Sequence, residues 1–406
     1  MSTTLYETLT FHDAVDHTLD KVMGGDSSPR SRRQAYEAVL YAYHELPARR
    51  RWRYYWRPFT IQTVARYNTG TIAYDYTGGT YERMVTLTGG TFPADADTYA
   101  MNIAGARYGI EAYKSSTVVT LRETDCPTAD IASGTAYAIV KDTYPLPSNL
   151  RSIDYLYDVF APGRMLPQVV PDDIMRERRL VRTSAVPLMY AVYRDERYAG
   201  SEALHFAPSC TSVRTYQGYA QYWPLELKIL DYSGNGTVAT TNGSTTVTGT
   251  STTFTTAMEG AVIRFSATGD TKIPTSLVGE VDKNRLNPYT MQRIVRTVTN
   301  STSLELEQAA DTTLSGSGYR ISSRIDIEPG AMRNAFLRGC EAFFSPQDRK
   351  GRQERLAEYE RALAHAMYAD QRAIESPGVS FIPHTLADVA ASINNSTGGA
   401  SAAGAV

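Results

Sequence analysis

The stretch from Ala331 to Ile374 constrains most strongly what this chain can fold into. Its apolar residues recur at helical spacing and form one stripe, while the opposite face carries charges of both signs. Ser345 followed by Pro346 is typical of a helix start, so the stretch predicts two consecutive helices. Because an amphipathic helix gains most of its stability from packing, these helices need an apolar partner. The predicted buried stripe consists of Ala335, Phe336, Cys340, Phe343, Leu356, Tyr359, Leu363 and Met367.

The other strongly helical part of the sequence lies near its N-terminus. Thr10 and Asp13 have the spacing of a capping box, which predicts a helix over residues 11–23. Ser28 and Pro29 predict the start of a second helix with apolar residues on one side. We therefore expect the two ends of the chain to meet in one helical core.

Two regions between the ends have a different pattern. Both contain short alternating runs rich in Thr, Val, Ile and Tyr, separated by Gly and Asp turns. Positions in the first region match positions in the second at 162 residues for the earlier pairs and 182 for the later ones, which predicts a duplicated β-module with an insertion in its second copy. The matching pairs include Phe92 with Phe254, Ile103 with Phe265, Tyr137 with Tyr319, and Ile139 with Ile321.

These patterns predict an α+β fold with a helical core formed by the N- and C-terminal helices and two inserted small antiparallel β-barrel or β-sandwich modules. The predicted segments are 1–69, the N-terminal helical part of the core; 70–145, β-module 1; 146–232, a mixed α/β part of the core; 233–327, β-module 2, a duplicate of module 1; 328–375, the C-terminal helical part of the core; and 376–406, a flexible tail or partner-docking arm.

The last of these segments is rich in Ala, Gly, Ser, Thr and Asn. It has too little apolar surface to offset its ordering entropy alone, so we expect it to order only on a partner. The candidate docking residues within it are Val379, Phe381, Ile382 and Leu386.

Composition excludes several classes of protein. The 406 residues carry 41 basic and 43 acidic side chains, so the formal charge of -2 gives no general attraction for nucleic acid or acidic lipid. The three cysteines form no paired motif, which favours folding in a reducing cytoplasm over a disulfide framework. The sequence predicts neither a secretory signal nor a membrane span.

Motifs of hydrolases and phosphate-binding loops are missing from the sequence. It contains no GxSxG, no GxxxxGK[ST] and no GxGxxG that follows a strand. His12 and His17 are five residues apart, which is the wrong spacing for two metal ligands on one helix. His205 and Cys210 form a weak protease-like pair, for which a buried structural cysteine is the better interpretation. We therefore expect no enzymatic activity, no cofactor and no metal.

Paired carboxylates leave a glycan-related hypothesis open. Asp172 with Asp173, and Asp125 with Asp130, have residue types that glycosidic chemistry uses. Acids at a helix start or in turns are also favoured by the helix dipole and by their own backbone, and this interpretation is preferred.

The run RRRWRYYWR is the densest cluster of charge and aromatic rings in the chain. It forms a candidate interface, since Trp, Tyr and Arg are enriched at binding hot spots. Two other interpretations stay open: a helix exit whose aromatic side chains enter the core, and a patch that contacts phosphate. The candidate residues are Arg49, Arg50, Arg51, Trp52, Arg53, Tyr54, Tyr55, Trp56 and Arg57.

Parts of the sequence resemble a family of viral proteins. The run AFLRGCEAFF through QERLAEYERALAHAMYADQR is similar to the closing helices of head-to-tail adaptor (connector) proteins of tailed bacteriophages. The N-terminal helical pair with its arginine-rich exit is also similar to that family. The second module, GTVATTNGSTTVTGTSTTFTTAMEGAVIRF, looks like small β-modules of phage neck and tail proteins.

The resemblance implies a structural protein of the virion neck, assembled in the cytoplasm of a host bacterium. It implies a dodecamer, a ring of about twelve copies, that docks on the portal protein and contacts a tail or nozzle protein. Genomic DNA would pass through its channel without sequence-specific binding, and no membrane would be involved.

Two alternatives stay open. The first is a tail-tube, baseplate or tail-tip structural protein, which would contact tail protein instead of portal. The second is a carbohydrate-binding or glycan-active β-protein, motivated by the 28 tyrosines and by acids on strand-rich modules.

Overall fold

The structure is a computed structural model of the chain, and it divides into two compact units. Unit 1 comprises Met1–Tyr55 and Pro224–Val406, and unit 2 comprises Trp56–Trp223. The residues that the structure describes are 8–24, 28–161, 164–180, 183–184, 186–273, 289–344 and 349–375.

The predicted fold class is wrong. Strands make up 37% of the protein and helices 28%, so the protein is mostly β and is not a helical core with small inserted modules. Several large antiparallel sheets carry most of the structure, two of them with seven and eight strands. The long helical period near the C-terminus is easy to detect, whereas many short strands give weak signals one by one. The helical pattern therefore predicts more helix than the protein contains.

Five helices lie in the described part of the chain. They are α1 (Phe11–Met23), α2 (Pro29–Ala48), α3 (Pro171–Arg179), α4 (Ala331–Phe343) and α5 (Arg349–Glu375). The predicted capping box of α1 is confirmed, because the hydroxyl of Thr10 accepts from the backbone N–H of Asp13 and the Asp13 carboxylate accepts from Thr10 in return. The predicted helix start at Ser345 and Pro346 lies outside the described residues.

Helices from both ends of the chain pack together in unit 1. Phe11 of α1, Tyr43 of α2, Phe336 of α4 and Tyr359 of α5 are all buried in one hydrophobic cluster. The terminal helices thus share a core, although that core is only one of several in the protein.

Unit 2 contains the first sixteen strands. They are β1 (Trp56–Gln62), β2 (Thr71–Asp75), β3 (Met84–Thr88), β4 (Ala100–Ile103), β5 (Ala106–Ser115), β6 (Val118–Leu121), β7 (Ile131–Thr135), β8 (Tyr137–Val140), β9 (Thr143–Pro145), β10 (Leu150–Asp158), β11 (Met165–Leu166), β12 (Thr183–Ser184), β13 (Met189–Asp195), β14 (Ser201–Ala207), β15 (Ser209–Cys210) and β16 (Thr215–Tyr222). Their sheets have the orders β7-β2-β3-β6-β5-β4-β8, β1-β16-β10-β11, β13-β14-β9 and β12-β15.

Unit 1 contains the remaining strands of the described part. They are β17 (Tyr232–Ser233), β18 (Thr237–Thr240), β19 (Thr246–Thr250), β20 (Val262–Phe265), β21 (Met291–Asn300), β22 (Ser303–Leu306), β23 (Leu314–Ser317) and β24 (Tyr319–Ser322). They form one sheet of order β17-β24-β20-β21-β22-β19-β18-β23.

The two large sheets have the same strand order. If β18 to β24 replace β2 to β8 one by one, the seven-stranded order of unit 2 becomes the order of unit 1 without its extra strand β17. In unit 2, β7 and β8 are consecutive in the chain and pair with β2 and β4 at opposite edges, so one short connection joins the two edges of the sheet. In unit 1, β23 and β24 pair with β18 and β20 in the same way.

Matched residues also make matched contacts in the two sheets. The rings of Phe92 and Tyr137 meet edge to face at 6.0 Å, and those of Phe254 and Tyr319 do so at 5.6 Å. Such aromatic pairs stabilise a core beyond their buried area. The finer division of the chain into six segments stays a prediction.

Matched glycines give a test of this equivalence. Gly70 and Gly236 have φ of +84° and +89°, and an added Cβ would lie 2.3 Å from the Thr88 carbonyl oxygen or 2.2 Å from that of Thr250. We expect Gly70→Ala and Gly236→Ala each to lower the free energy of unfolding by roughly 3 kcal/mol, because a backbone clash adds to a strained φ. Hydrogen exchange of β3 and β19 measures the two effects separately.

The control is Gly243→Ala, at a φ of +82° with no atom within 4 Å of the added Cβ. This variant should lower the free energy of unfolding by only about 1 kcal/mol, because it adds a strained φ but no backbone clash. A large effect at one of the two matched positions and none at the other would show that the sheets are not equivalent there.

Candidate functional site

The arginines of the run 49–57 that belong to unit 1 mostly pair within that unit. Arg49 forms an ion pair with Glu45, one turn earlier on α2. The Nε of Arg50 lies 3.1 Å from a carboxylate oxygen of Asp370, and the backbone N–H of Arg53 donates to the same carboxylate at 3.1 Å. These contacts join the end of α2 to α5.

The aromatic residues next to them lie largely in the core. Trp52 is fully buried, and its indole N–H donates to the carbonyl of Leu46 at 2.8 Å. Tyr55 is also buried, and its hydroxyl donates to the carbonyl of Asp326, whose carboxylate accepts from Tyr54. The side chains of Trp52 and Tyr55 therefore face the interior, as in a helix exit.

Trp56 and Arg57 begin unit 2, where both are partly exposed on β1. The guanidinium of Arg57 lies 5.8 Å from the ring centre of Tyr222. Arg51 is exposed in unit 1. A partner-binding role for the run stays a prediction that concerns these exposed members. The predicted docking residues Val379, Phe381, Ile382 and Leu386 lie outside the described residues.

One stretch of unit 2 holds many exposed apolar side chains, which the sequence did not indicate. Seven of the fourteen large apolar side chains exposed in the described part lie between residues 159 and 188, hereafter the exposed apolar segment. Phe160 is 66% exposed, and Val170 and Leu180, at the two ends of α3, are 60% and 51% exposed. Single exposed apolar residues are ordinary, but such a concentration is typical of a binding surface. The seven residues are Val159, Phe160, Met165, Val170, Met175, Leu180 and Leu188.

Helix α3 explains part of this exposure. Ile174 is fully buried and Arg178 nearly so, and these two residues anchor the helix one turn apart. Met175, on another face, is 50% exposed. Ile174 packs against Ala191 and Ala207, so the helix is held on that side while Met175 faces water.

Arg178 reaches a buried carboxylate, Asp142, which is the centre of a polar cluster in unit 2. Its Nε lies 3.1 Å from an Asp142 oxygen, and Arg107 forms a second ion pair with the same carboxylate. Ser209 donates a hydrogen bond to it at 3.2 Å. Burial alone would raise the pKa of Asp142, but the guanidinium groups of Arg107, Arg178 and Arg197 outweigh it and hold that pKa far below its usual range.

His205 lies beside this cluster and is held neutral. Its Nδ1 lies 3.3 Å from Nη1 of Arg178 and 3.2 Å from the hydroxyl of Thr143, and its Nε2 lies 3.3 Å from the carbonyl of Tyr193. Because a guanidinium only donates, Nδ1 accepts and Nε2 carries the proton. Burial, with the nearby Arg178 charge, lowers the pKa of His205 to about 3.

This shift predicts a pH dependence. Below its ordinary pKa of 6.5, His205 takes up a proton when unfolded but not when folded, so acid favours the unfolded state. We expect this group to lower the free energy of unfolding by up to about 1.4 kcal/mol per pH unit between about pH 6.5 and pH 5. Urea denaturation at several pH values in this range gives the free energy of unfolding as a function of pH. For His205→Gln this free energy should change less steeply with pH than for the wild type, whatever the stability of the variant.

The matched control is His44→Gln, which removes an exposed histidine and should keep the wild-type slope. Equal slopes for wild type and His205→Gln would contradict the neutral assignment.

Arg197 completes the cluster through a second carboxylate. Its Nε and Nη2 donate to the two oxygens of Asp195 at 3.0 and 2.8 Å, which is a bidentate pair. Its Nη2 also donates to the hydroxyl of Thr143 at 2.7 Å. Every charged group of this polar cluster is therefore paired with another group of the protein, which argues for a structural rather than a catalytic role.

The polar cluster around Asp142 and Asp195 forms the floor of an open cleft of about 900 Å³. Six arginines line it, against three carboxylates of the lining and Asp142 behind it, so two positive charges are in excess. Arg122, Arg179 and Arg194 have no side-chain hydrogen bond or ion pair to any described residue. The arginines are Arg107, Arg122, Arg178, Arg179, Arg194 and Arg197, and the lining carboxylates are Asp125, Asp195 and Glu196.

The catalytic candidates of the sequence make hydrogen bonds to other residues. The ring nitrogens of His205 contact Thr143, Arg178 and Tyr193, while Cys210 donates to the carbonyl of Ser212 at 3.0 Å. Among the described residues, no group of His, Cys, Asp or Glu could hold a metal ion. No helix in the described part is long and apolar enough to cross a membrane.

The carboxylates of the two predicted pairs stabilise the backbone, either by accepting hydrogen bonds from N–H groups or by lying at a helix N-terminus. Asp125 accepts from the N–H of Gly109 at 2.8 Å, and Asp130 accepts from the N–H of Tyr76 at 2.8 Å. Asp172 and Asp173 lie in the first turn of α3, where the helix dipole stabilises a negative charge. No family model, curated protein or solved structure matches the chain, so its functional interpretation rests on its own residues.

Proposed function

We propose that this chain is a structural virion protein that forms a head-to-tail adaptor ring between the portal and the tail of a bacteriophage. The observation that carries the proposal is the exposed apolar segment of unit 2, which holds half of the large apolar side chains exposed in the described part. A subunit with such a surface is stabilised when a partner covers it. The resemblance of the terminal helices to connector proteins supports the identity of the assembly.

A ring requires a head-to-tail interface in which two different surfaces of neighbouring copies meet. A stable interface of this kind buries on the order of 1,000 Å² or more. The exposed apolar segment supplies one side of such an interface. The exposed aromatic residues Tyr41 and Tyr368 of unit 1, which are 56% and 62% exposed, offer apolar contacts of their own.

The proposed partners are further copies of this chain, the portal protein, and a tail or nozzle protein. Genomic DNA passes through the ring without being held, which suits a formal charge of -2. The proposed location is the virion neck, after assembly in the bacterial cytoplasm.

The experiment compares the mass of the purified full chain with that of a charged variant. Native mass spectrometry should give one discrete ring for the wild type and smaller species for Phe160→Glu/Leu180→Glu. Both side chains are more than half exposed, so their replacement removes little packing. We expect the dissociation constant between subunits to rise at least roughly tenfold, because the new charges must be buried at the interface.

The control is Tyr76→Glu/Tyr81→Glu, which places two charges on exposed aromatic positions of the same unit outside the segment. It should assemble as the wild type does. A wild-type chain that stays monomeric at high concentration and ignores purified portal would overturn the proposal. Binding to tail-tube protein or to a glycan array instead would favour one of the two alternatives.

A further inference from the structure

The cleft in unit 2 combines a saturated floor with unpaired charges at its mouth. Arg107, Arg178 and Arg197 are held by Asp142 and Asp195. Because three arginines share two carboxylates, the floor retains one uncompensated positive charge. A ligand would therefore meet a preformed positive potential in a concave site.

The mouth of the cleft supplies the groups that are able to bind. Arg179 and Arg194 are exposed and Arg122 is half-buried, and the side chain of none of the three is paired with a described residue. A guanidinium binds a carboxylate or phosphate through two parallel hydrogen bonds. Three such groups around one cleft select a ligand with more than one negative charge.

Apolar surface lies beside these charges. Met175 lines the cleft and is 50% exposed. Val170 and Leu180, at the ends of the same helix, are also exposed. A ligand that suits this site carries an apolar group next to its charges, as a peptide does and an isolated phosphate does not.

We propose that this cleft binds an acidic peptide segment of a partner protein, with its carboxylates on Arg122, Arg179 and Arg194 and an apolar side chain against Met175. The inference rests on the proposed function only in taking that partner to be another subunit of the virion. In this proposal the mouth of the cleft binds a partner, whereas the polar cluster at its floor stabilises unit 2.

A nucleic acid fits the cleft less well. Single strands bind through bases stacked on exposed rings, and the ring of Tyr193 in this cleft is already stacked on His205, with centroids 3.4 Å apart. The three carboxylates of the lining would also repel an extended phosphate backbone. A short peptide can place its few charges on the arginines and avoid these acids.

Fluorescence anisotropy with labelled probes tests the proposal. The probe is a short fluorescein-labelled peptide of alternating glutamate and leucine, and its neutral counterpart contains glutamine in place of glutamate. We expect the acidic peptide to bind the full-length chain and Arg179→Glu/Arg194→Glu to bind it at least roughly tenfold more weakly. The neutral peptide should bind at least roughly tenfold more weakly to the wild type.

The matched control is Arg176→Glu, on the same helix but outside the cleft, with a side chain that is 79% exposed. It should change the affinity by less than about twofold, as expected for an exposed charge at a distance. Equal binding by wild type and Arg179→Glu/Arg194→Glu would overturn the proposal. So would a single-stranded oligonucleotide that binds more tightly than the peptide and is lost with the same variant.

Subunit mass is measured on the same preparations, so the two proposals fail separately. A ring that does not bind the acidic peptide overturns only the assignment of the cleft. A monomer that binds it overturns only the ring.

Discussion

Replacing Asp142 by asparagine is expected to lower the free energy of unfolding of unit 2 by about 3 to 5 kcal/mol. Asp142 is fully buried and forms ion pairs with Arg107 and Arg178. Asparagine has a similar size but no charge, so two guanidinium groups would stay in the interior without a counterion. Urea denaturation of the variant, followed by hydrogen exchange of β14, measures the loss.

The matched control is Asp97→Asn, which removes an exposed carboxylate from the same unit and should cost less than about 1 kcal/mol. The effect of Asp142→Asn should also shrink at low pH. The pKa of Asp142 is depressed, so its stabilising contribution is present above its unfolded pKa and is lost as pH falls toward its folded pKa. Equal stability of the two variants at neutral pH would show that the cluster does not hold unit 2 together.

Asp13→Asn is expected to destabilise unit 1 by a similar amount, about 3 to 5 kcal/mol. Asp13 and Arg264 are both 2% exposed, and their two hydrogen bonds of 2.7 and 2.6 Å form a bidentate pair between α1 and β20. The Asp13 carboxylate also accepts from the N–H of Thr10 at 3.0 Å, so the variant weakens the helix cap as well. Thermal unfolding and hydrogen exchange of α1 report the loss.

Two comparisons separate the causes. Asp20→Asn removes an exposed carboxylate from the same helix and should cost less than about 1 kcal/mol. Asp13→Leu/Arg264→Met replaces the buried pair by apolar side chains and should be more stable than Asp13→Leu alone, because no charge is left unpaired. If the double variant were the less stable of the two, an unpaired charge would not be the cause.

Local signals of the sequence predicted local structure well. The capping box of Thr10 and Asp13 marks a helix that begins at Phe11, as expected. The matched residues Phe92 and Phe254 lie in cores of two sheets with one strand order. Both signals depend on neighbours or on a repeated pattern, which a sequence displays directly.

Long-range contacts were not predictable in the same way. Asp142 meets Arg107 and Arg178 across intervals that no periodicity links, and the only local hint is an acid two residues after the apolar strand β8. The fold class was wrong for a related reason. A short strand is stabilised and recognised mainly through the strands that pair with it, and these are distant in the chain.

The run 49–57 shows how one pattern fits two structures. Arginine and aromatic residues after a helix are typical both of an interface and of a helix exit. Burial separates the two, and Trp52 and Tyr55 are buried while Arg51 is exposed. The sequence did not indicate the exposed apolar segment, because its apolar residues are scattered among prolines and charged residues.

The most direct test of the proposed assembly is a cryo-electron microscopy map of the ring formed by the full chain, free or within a particle. We expect the exposed apolar segment to lie at a subunit boundary, with Phe160 and Leu180 within about 4 Å of a neighbouring copy or of the portal. A map in which these two side chains face solvent on every subunit would contradict it.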